Sequence, residues 1–168
     1  RMGGMSYMDI MNRGGGIINT MKATREASEA ELADHAMDHL KKMLAMGVTT
    51  VEAKSGYGQD YDTEIKQLHV TRKLNASQPI ELVSTFLGAH AVPPEYKGRS
   101  KAFLDFLLKE VMPVVKKENL AEFCDIFCEE GVFSVDESRQ YLKKAREMGF
   151  KLKIHADEIV SLGGSELA

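Results

Sequence analysis

The chain reads Lys-Leu-Lys-Ile-His-Ala-Asp-Glu from Lys151 to Glu158. Leu152 and Ile154 predict a short strand, and that strand ends in groups that can do chemistry. A neutral imidazole such as that of His155 can bind a metal ion. The carboxylates that follow it can bind metal, move a proton or hold a polar substrate. In α/β barrels the strand interiors build the core and the strand ends carry the catalytic groups. The stretch therefore predicts an active site at a strand end.

Strands and helices alternate on either side of this stretch. Ser-x-x-Glu capping boxes begin helices at Ser28 and Ser134, and Gly47 and Gly149 end them. Residues 1–27 lack clear periodicity, and the glycines at 14–16 predict a loop. Strands are predicted at residues 48–54, 81–87, 123–127 and 152–154, and further helices from Asp62 or Thr63 and from about Lys101, with a kink or an end at Pro113. This alternation predicts parallel strand pairing through right-handed crossovers.

Two α/β architectures accommodate this pattern. Four such strands make half of an eight-stranded barrel, which needs about 250 residues, whereas a complete open sheet of four or five strands also fits the length. Each predicted strand ends in a candidate site residue, namely Tyr57, His90, Glu129 and His155. An open sheet usually concentrates its site at one switch point. We therefore expect a partial (β/α)8 barrel of about four to five βα units.

Composition narrows the class of protein. The 168 residues, 43% of them apolar and 28% charged, are typical of one globular domain. The net charge of −3 gives no electrostatic footprint for nucleic acid, and no apolar run approaches the roughly 20 residues that cross a bilayer. Without a signal-peptide pattern, a cytoplasmic location is expected. Cys124 and Cys128 would lie about 13 Å apart on one strand, too far for a disulfide, so we expect buried free thiols in a reducing compartment.

Each candidate site residue has a functional and a structural interpretation. His155 could bind a catalytic metal while Glu158 contacts substrate or moves a proton; alternatively His155 is a hydrogen-bonded core histidine and Asp157 caps the next helix. His90 could bind a substrate oxygen or a metal, or serve the structure alone. Tyr57 lies between two glycines that leave its phenol free to reach a ligand, or that serve the turn only.

The other candidates are charged side chains near strand ends. Lys54 could be a modified, metal-bridging lysine, or a lysine at the end of the barrel paired with Glu52 or Glu64. Glu129 and Glu130 form a carboxylate pair that could be catalytic or could interact with a helix dipole.

Long stretches of the chain resemble the imidazolonepropionase family of the amidohydrolase superfamily, which acts in histidine degradation. The stretches that carry the resemblance are residues 14–17, 51–58, 84–96, 125–133 and 153–158. They cover essentially the whole chain and occur in the family's order.

The resemblance implies hydrolysis of the ring amide of 4-imidazolone-5-propanoate to N-formimidoyl-L-glutamate, in a (β/α)8 barrel with one divalent zinc or iron ion. Matched by motif, His155 is the implied metal ligand, and Glu158 is the implied catalytic residue, which contacts the imidazolone ring and assists proton transfer. Tyr57 and His90 are the implied substrate-binding residues, together with Glu158. Lys54 has no metal role in this family, which is mononuclear. The implied partner is a small-molecule substrate, with no nucleic acid or membrane partner and a possible homodimer.

Several family features have no counterpart in the sequence. These are a His-x-His pair on the first strand, an arginine that binds the propionate, a histidine on the sixth strand and a metal-binding aspartate on the eighth. We therefore expect residues 1–168 to be an internal segment of one catalytic barrel domain, in a protein of about 400 residues. One ligand cannot hold a catalytic zinc ion, which takes three, so the segment alone should be inactive and poorly soluble. The alternatives are another cyclic amidohydrolase or deaminase, a metal-free phosphate-binding barrel and a non-catalytic fragment.

Overall fold

The computed structural model describes residues 16–168, so most of the loop expected at residues 14–16 lies outside the described residues. Strands and helices alternate along them, as predicted. The elements are α1 (Ile17–Glu26), α2 (Glu29–Ala45), β1 (Thr50–Lys54), α3 (Tyr61–Asn75), β2 (Glu81–Ala89), α4 (Ser100–Phe106), α5 (Met112–Lys117), β3 (Phe123–Cys128), α6 (Val135–Glu147), β4 (Lys151–Leu152) and β5 (His155–Ala156).

The strands form one parallel sheet with the spatial order β1-β2-β3-β4, and β5 also pairs with β3. Every pairing is parallel, and the register sets Lys54 beside Thr85 and Phe127 beside His155. Helices α3 to α6 make the connections between successive strands. The predicted α/β class and the parallel pairing are therefore confirmed. The last predicted strand is instead two short strands, β4 and β5, separated at residues 153–154.

Local capping explains where the helices begin. Both predicted capping boxes form, at Ser28 with Glu31 and at Ser134 with Glu137. Helix α3 begins slightly earlier than predicted, because the side chain of Asp60 accepts a hydrogen bond from the Thr63 amide at 2.7 Å. A carboxylate at this position satisfies an amide that the helix itself leaves unpaired.

The helix around Pro113 does not end there. A π-helical turn at Leu107–Val111 connects α4 to α5, which continues to Lys117. Proline lacks an amide hydrogen and its ring clashes with the preceding turn of a regular α-helix. A wider π turn just before the proline accommodates that ring without interrupting the helix.

The sequence did not predict helix α1, and its packing explains why. Only Ile17 and Met21 are buried, so the apolar periodicity is weak. The Nζ of Lys66, on α3, donates to the carbonyl oxygens of Thr24, Arg25 and Ala27 at the end of α1. A tertiary contact of this kind leaves no local signal in the sequence.

The sheet and helices enclose a main core that includes Phe86, Phe103, Ile126 and Tyr141. Cys124 and Cys128 are buried and free, as predicted. Burial raises the pKa of the Cys124 thiol to about 12, so this thiol stays protonated and unreactive.

A second cluster lies between α2, α3 and strands β1 and β2 and contains Leu40, Val70, Leu74, Ile80 and Leu82. Among residues 16–168, no helix has the length and apolar character needed to cross a membrane.

Candidate active site

Three of the predicted site residues lie at one edge of the sheet, where the parallel strands end. Tyr57 follows β1, His90 follows β2, and His155 begins β5 beside Phe127 of β3. Their rings meet edge to face, with centroid distances of 5.1 Å for Tyr57–His90, 6.1 Å for His90–Phe127 and 6.2 Å for Phe127–His155. This geometry is favourable for aromatic pairs. We call this edge of the sheet, which carries these four residues, the rim.

The loop that carries Tyr57 is held by a glutamate from the next helix. The side chain of Glu64 is fully buried, and its oxygens accept hydrogen bonds from the amides of Gly56, Gly58 and Gln59, each at 2.9 Å. Burial raises the pKa of the Glu64 carboxyl, and the amide donors oppose that rise. Tyr57 itself is 37% exposed. The ring of Tyr57 is therefore accessible to solvent, whereas the backbone that carries it is held by Glu64.

The glycine before Tyr57 is required by the backbone. Gly56 has a φ of +101°, and a Cβ built there would lie 2.5 Å from the carbonyl oxygen of Leu87. Another residue would be strained at this φ and would clash with β2. Gly56 therefore allows the loop to pack closely against the neighbouring strand.

His90 is held in one tautomer by the same loop. Its Nδ1 lies 3.1 Å from the carbonyl oxygen of Gly56. Because a carbonyl oxygen can only accept, Nδ1 carries the proton. Burial lowers the pKa of His90, the nearby His155 lowers it further, and the Gly56 carbonyl opposes the shift. His90 is therefore a neutral imidazole whose Nε2 is the acceptor nitrogen.

His155 lies at the rim and contacts a buried acid. Its side chain is 35% exposed, and its Nδ1 lies 3.0 Å from Oδ2 of Asp125. The contact has the length of an ion pair, but its angles fall outside those of a hydrogen bond. Asp125 raises the pKa of His155 despite partial burial. Burial alone would raise the pKa of Asp125, but His155 and Lys54 together lower it.

Below His155, charged side chains pair across one face of the sheet. Lys54 Nζ lies 2.7 Å from Glu52 and 2.9 Å from Asp125, and Lys153 Nζ lies 2.5 Å from Glu52. The predicted pairing of Lys54 with Glu52 is confirmed, and the alternative with Glu64 is wrong. Burial alone would lower the pKa of Lys54, but its contacts with Asp125 and Glu52 raise that pKa. Lys54 is therefore a charged ammonium rather than a reactive amine.

The segment that carries Glu158 is anchored on both sides. The carboxylate of Asp157 accepts hydrogen bonds from the amides of Leu162, Gly164 and Ser165, where a short 3-10 turn begins. The Ser165 hydroxyl and these amides lower the pKa of Asp157. Glu158 is exposed, and its charge favours the protonated forms of both nearby imidazoles.

Glu129 supplies the second anchor. It is only 2% exposed, and it accepts from the amides of Ile159 at 2.8 Å, Val160 at 3.2 Å and Glu130 at 2.9 Å. Burial alone would raise the pKa of Glu129, but these amides together lower it. The sequence offered a catalytic or a helix-dipole role for Glu129. In the structure its carboxylate instead binds the backbone that directly follows Glu158.

Comparison with known proteins gives one consistent result. Over all 168 residues the chain is 58% identical to the imidazolonepropionase of Clostridium tetani, and 59% identical to those of Streptococcus pyogenes serotypes M49 and M1. The chain is similar to imidazolonepropionases along its whole length. This confirms the resemblance found in the sequence. The chain spans about 40% of the length of these curated relatives, and no family model matches it.

The described residues do not form a complete metal site. Among residues 16–168, no three His, Cys, Asp or Glu side chains come together in a way that could hold an ion. His155 is the predicted ligand, and Asp125 lies against one of its two ring nitrogens. The contact brings together the same two groups as the carboxylate–histidine pairs that orient metal ligands, although it is an ion-pair contact and not a hydrogen bond.

Sequence reasoning did not single out Asp125 or Phe127, and it considered Glu64 only as a partner for Lys54. Asp125 and Phe127 are two apart on β3, and this spacing sets them on one face of the strand. A charged residue inside a buried strand needs a partner, so Asp125 carried a signal that was not used. Glu64 carried none, because nothing in its spacing shows that the loop before it folds back onto its carboxylate.

Proposed function

We propose that this chain is part of an imidazolonepropionase. The protein would hydrolyse the cyclic amide of 4-imidazolone-5-propanoate to N-formimidoyl-L-glutamate in histidine degradation. One observation carries the proposal: in a chain 58% identical to such an enzyme over its whole length, Tyr57, His90 and His155 converge at one edge of the sheet.

We infer that residues 1–168 are an internal segment of a single (β/α)8 barrel. Strands β1 to β4 follow one another in chain order across the sheet. A doubly wound open sheet reverses its order at a switch point, whereas a barrel does not. The 40% share of the relatives' length suits about half of an eight-stranded barrel. The first and last strands would then lie in the parts of the relatives that this chain does not span.

We propose His155 as one ligand of a single divalent zinc or iron ion, through the ring nitrogen that does not face Asp125. An imidazole suits either metal. A catalytic zinc ion takes three protein ligands, so the others would come from outside residues 16–168. When bound, the ion would act as a Lewis acid that polarises a carbonyl group and lowers the pKa of a water molecule. Asp125 would hold the His155 ring in the ligating orientation.

The remaining residues of the rim would bind and orient the substrate. His90 would accept a ring N–H through Nε2, because its Nδ1 hydrogen is already donated to Gly56. That argues for an N–H contact rather than the oxygen contact considered from the sequence. Tyr57 would orient the substrate through its phenol. Glu158 would contact the imidazolone ring and relay a proton to the leaving nitrogen.

The proposed substrate is a small molecule, so the proposed function involves no nucleic acid or membrane partner. A cytoplasmic location, expected from the lack of a signal-peptide pattern, and a homodimer, implied by the family resemblance, stay predictions.

Turnover of the complete protein tests this function. Conversion of 4-imidazolone-5-propanoate would be followed by loss of its ultraviolet absorbance and by detection of N-formimidoyl-L-glutamate. A parallel panel of hydantoins and aminopyrimidines represents the other cyclic amidohydrolases and the deaminases. We expect turnover of the imidazolone alone. Hydrolysis or deamination of a panel member, with the imidazolone untouched, would favour the rival class.

A further inference from the structure

We propose that Glu64 is a positioning residue for the rim: its buried carboxylate fixes the loop that presents Tyr57 and, through the Gly56 carbonyl, the tautomer of His90. The kinetic consequences rest on the function proposed above. The structural consequence for His90 does not.

The first step is the contact between Glu64 and the loop. Glu64 lies in the first turn of α3 and is fully buried. Its Oε2 accepts from the Gly56 amide, and its Oε1 accepts from the amides of Gly58 and Gln59, all at 2.9 Å. A carboxylate is costly to bury unless donors surround it. Here most of the donors are the backbone amides on both sides of Tyr57, with Gln67 Nε2 at 3.5 Å, so the carboxylate and the loop conformation depend on each other.

The second step is the backbone shape that this contact maintains. Gly56 has a φ of +101° and Gln59 a φ of +57°. A left-handed conformation is uncommon for a residue with a side chain. The amides of both residues donate to Glu64. The carboxylate therefore stabilises the loop at the two residues that have these uncommon backbone conformations.

The third step connects the loop to the imidazole. The Gly56 amide donates to Glu64, and the Gly56 carbonyl oxygen accepts from the Nδ1 of His90. One residue thus transmits the position of the Glu64 carboxylate to a ring on the next strand. That ring also meets the edge of Tyr57, at a centroid distance of 5.1 Å. Two of the three proposed substrate-binding side chains, Tyr57 and His90, therefore take their positions from one carboxylate.

A second side chain, Arg25, also holds the loop, from its more exposed side. Arg25 donates from Nε to the Gly58 carbonyl at 2.8 Å and from Nη1 to Glu95 at 2.6 Å. Arg25 is partly exposed, and neither of these contacts involves Gly56. Gln59 Nε2 also donates to the Gly56 carbonyl oxygen, at 3.4 Å, and the Gln59 amide in turn donates to Glu64. Glu64 is therefore the side chain that contacts the Gly56 amide directly, and we assign the position of His90 to it.

The Glu64→Gln variant separates positioning from simple support. Glutamine keeps the size of the side chain but puts an NH2 donor where a backbone amide now finds an oxygen. At least one loop amide then faces another donor. We expect the loop to loosen, the Gly56–His90 contact to weaken and the imidazole to populate the Nε2–H tautomer.

The decisive measurement is the His90 tautomer in the complete protein labelled with 15N-histidine. Long-range 15N–1H correlation spectra distinguish protonated from unprotonated ring nitrogens, and His90→Gln assigns the signal. We expect Nδ1–H alone in the wild type and a mixture in Glu64→Gln. Kinetically, we expect KM to rise more than kcat falls, with a loss of roughly 10- to 100-fold in kcat/KM.

Two further variants keep the test decisive. Leu74→Ala removes a buried side chain at the other end of α3 and should lower Tm while leaving the tautomer and kcat/KM unchanged. Glu64→Asp keeps the charge but draws the oxygens back, and should show an intermediate tautomer mixture even if Glu64→Gln fails to fold. A retained Nδ1–H tautomer with an unchanged KM in both Glu64 variants would overturn the proposal. Lack of imidazolone turnover by the wild type would instead refute the proposed function, and the spectra would still decide the role of Glu64.

Discussion

The Nδ1 of His90 lies 3.1 Å from the carbonyl oxygen of Gly56, so the ends of two neighbouring strands are joined by one hydrogen bond. The contact assigns the proton to Nδ1 and leaves Nε2 as an acceptor. It also couples the orientation of the imidazole to the loop that carries Tyr57. The chemistry of the rim therefore depends on a backbone carbonyl as much as on the side chains that follow the strands.

The partly buried, neutral state of His90 should make stability depend on pH. Burial lowers the pKa of His90 below its value in the unfolded chain, which is about 6.5. The unfolded state then binds the proton more readily, so the stabilisation is complete above that pH and is lost as pH falls through the lowered pKa. Urea unfolding between pH 8 and pH 5 should show a smaller pH dependence in His90→Gln than in the wild type. His39→Gln, at an exposed position on α2, should keep the wild-type dependence; equal slopes in all three proteins would contradict the prediction.

Replacing Glu158 should slow the reaction without releasing metal. In the proposed function its carboxylate moves a proton and does not bind the ion. Glu158→Gln should therefore lower kcat by about 10²- to 10⁴-fold, with the metal content unchanged by elemental analysis. Glu130→Gln is the matched control, because Glu130 is also an exposed carboxylate near the strand ends. Wild-type turnover in Glu158→Gln would refute the role.

Much of the fold could be predicted because its signals are local. The capping boxes at Ser28 and Ser134 satisfy helix amides within one turn of the chain, and such contacts are visible as residue spacings. Parallel pairing followed from the alternation of strands and helices. Since parallel strands end at one edge of a sheet, the convergence of Tyr57, His90 and His155 followed as well.

The partners of the charged residues could not be predicted, because they depend on the register between distant strands. Lys54 reaches Asp125, 71 positions away, only because β1, β2 and β3 align as they do. Glu64 was considered as a partner for Lys54 and instead binds loop amides that precede it by five to eight positions. Such choices are decided by tertiary packing.

Asp125 should be needed both for stability and for the metal affinity of His155. Its side chain is almost fully buried between Lys54 and His155. In Asp125→Asn, Lys54 would lose one of its two carboxylate partners, at a cost of about 1–3 kcal/mol in the free energy of unfolding. His155 would lose its orienting contact, so zinc affinity of the complete protein should fall about 10- to 100-fold. Competition with a chromogenic chelator measures that affinity.

The control for Asp125 lies at the opposite end of the same strand. Glu122→Gln removes an exposed partner of Lys151 just before β3. Exposed ion pairs contribute little to stability, so this variant should keep both the unfolding free energy and the metal affinity. An Asp125→Asn protein that binds zinc as tightly as the control would exclude the orienting role.

Glu129 should stabilise the Glu158 segment in a pH-dependent way. The amides of Ile159, Glu130 and Val160 outweigh burial and lower the pKa of Glu129. Its stabilisation is therefore present above the unfolded-state pKa of about 4.3 and is lost as pH falls through the lowered folded pKa. Glu129→Gln should reduce the free energy of unfolding at pH 7 by about 1–3 kcal/mol and flatten its decline between pH 5 and pH 3.

Hydrogen exchange at the amides of Ile159 and Val160 should accelerate in Glu129→Gln and remain slow in Glu130→Gln, because only Glu129 accepts their hydrogen bonds. Unchanged exchange at both amides would mean that Glu129 does not anchor this segment.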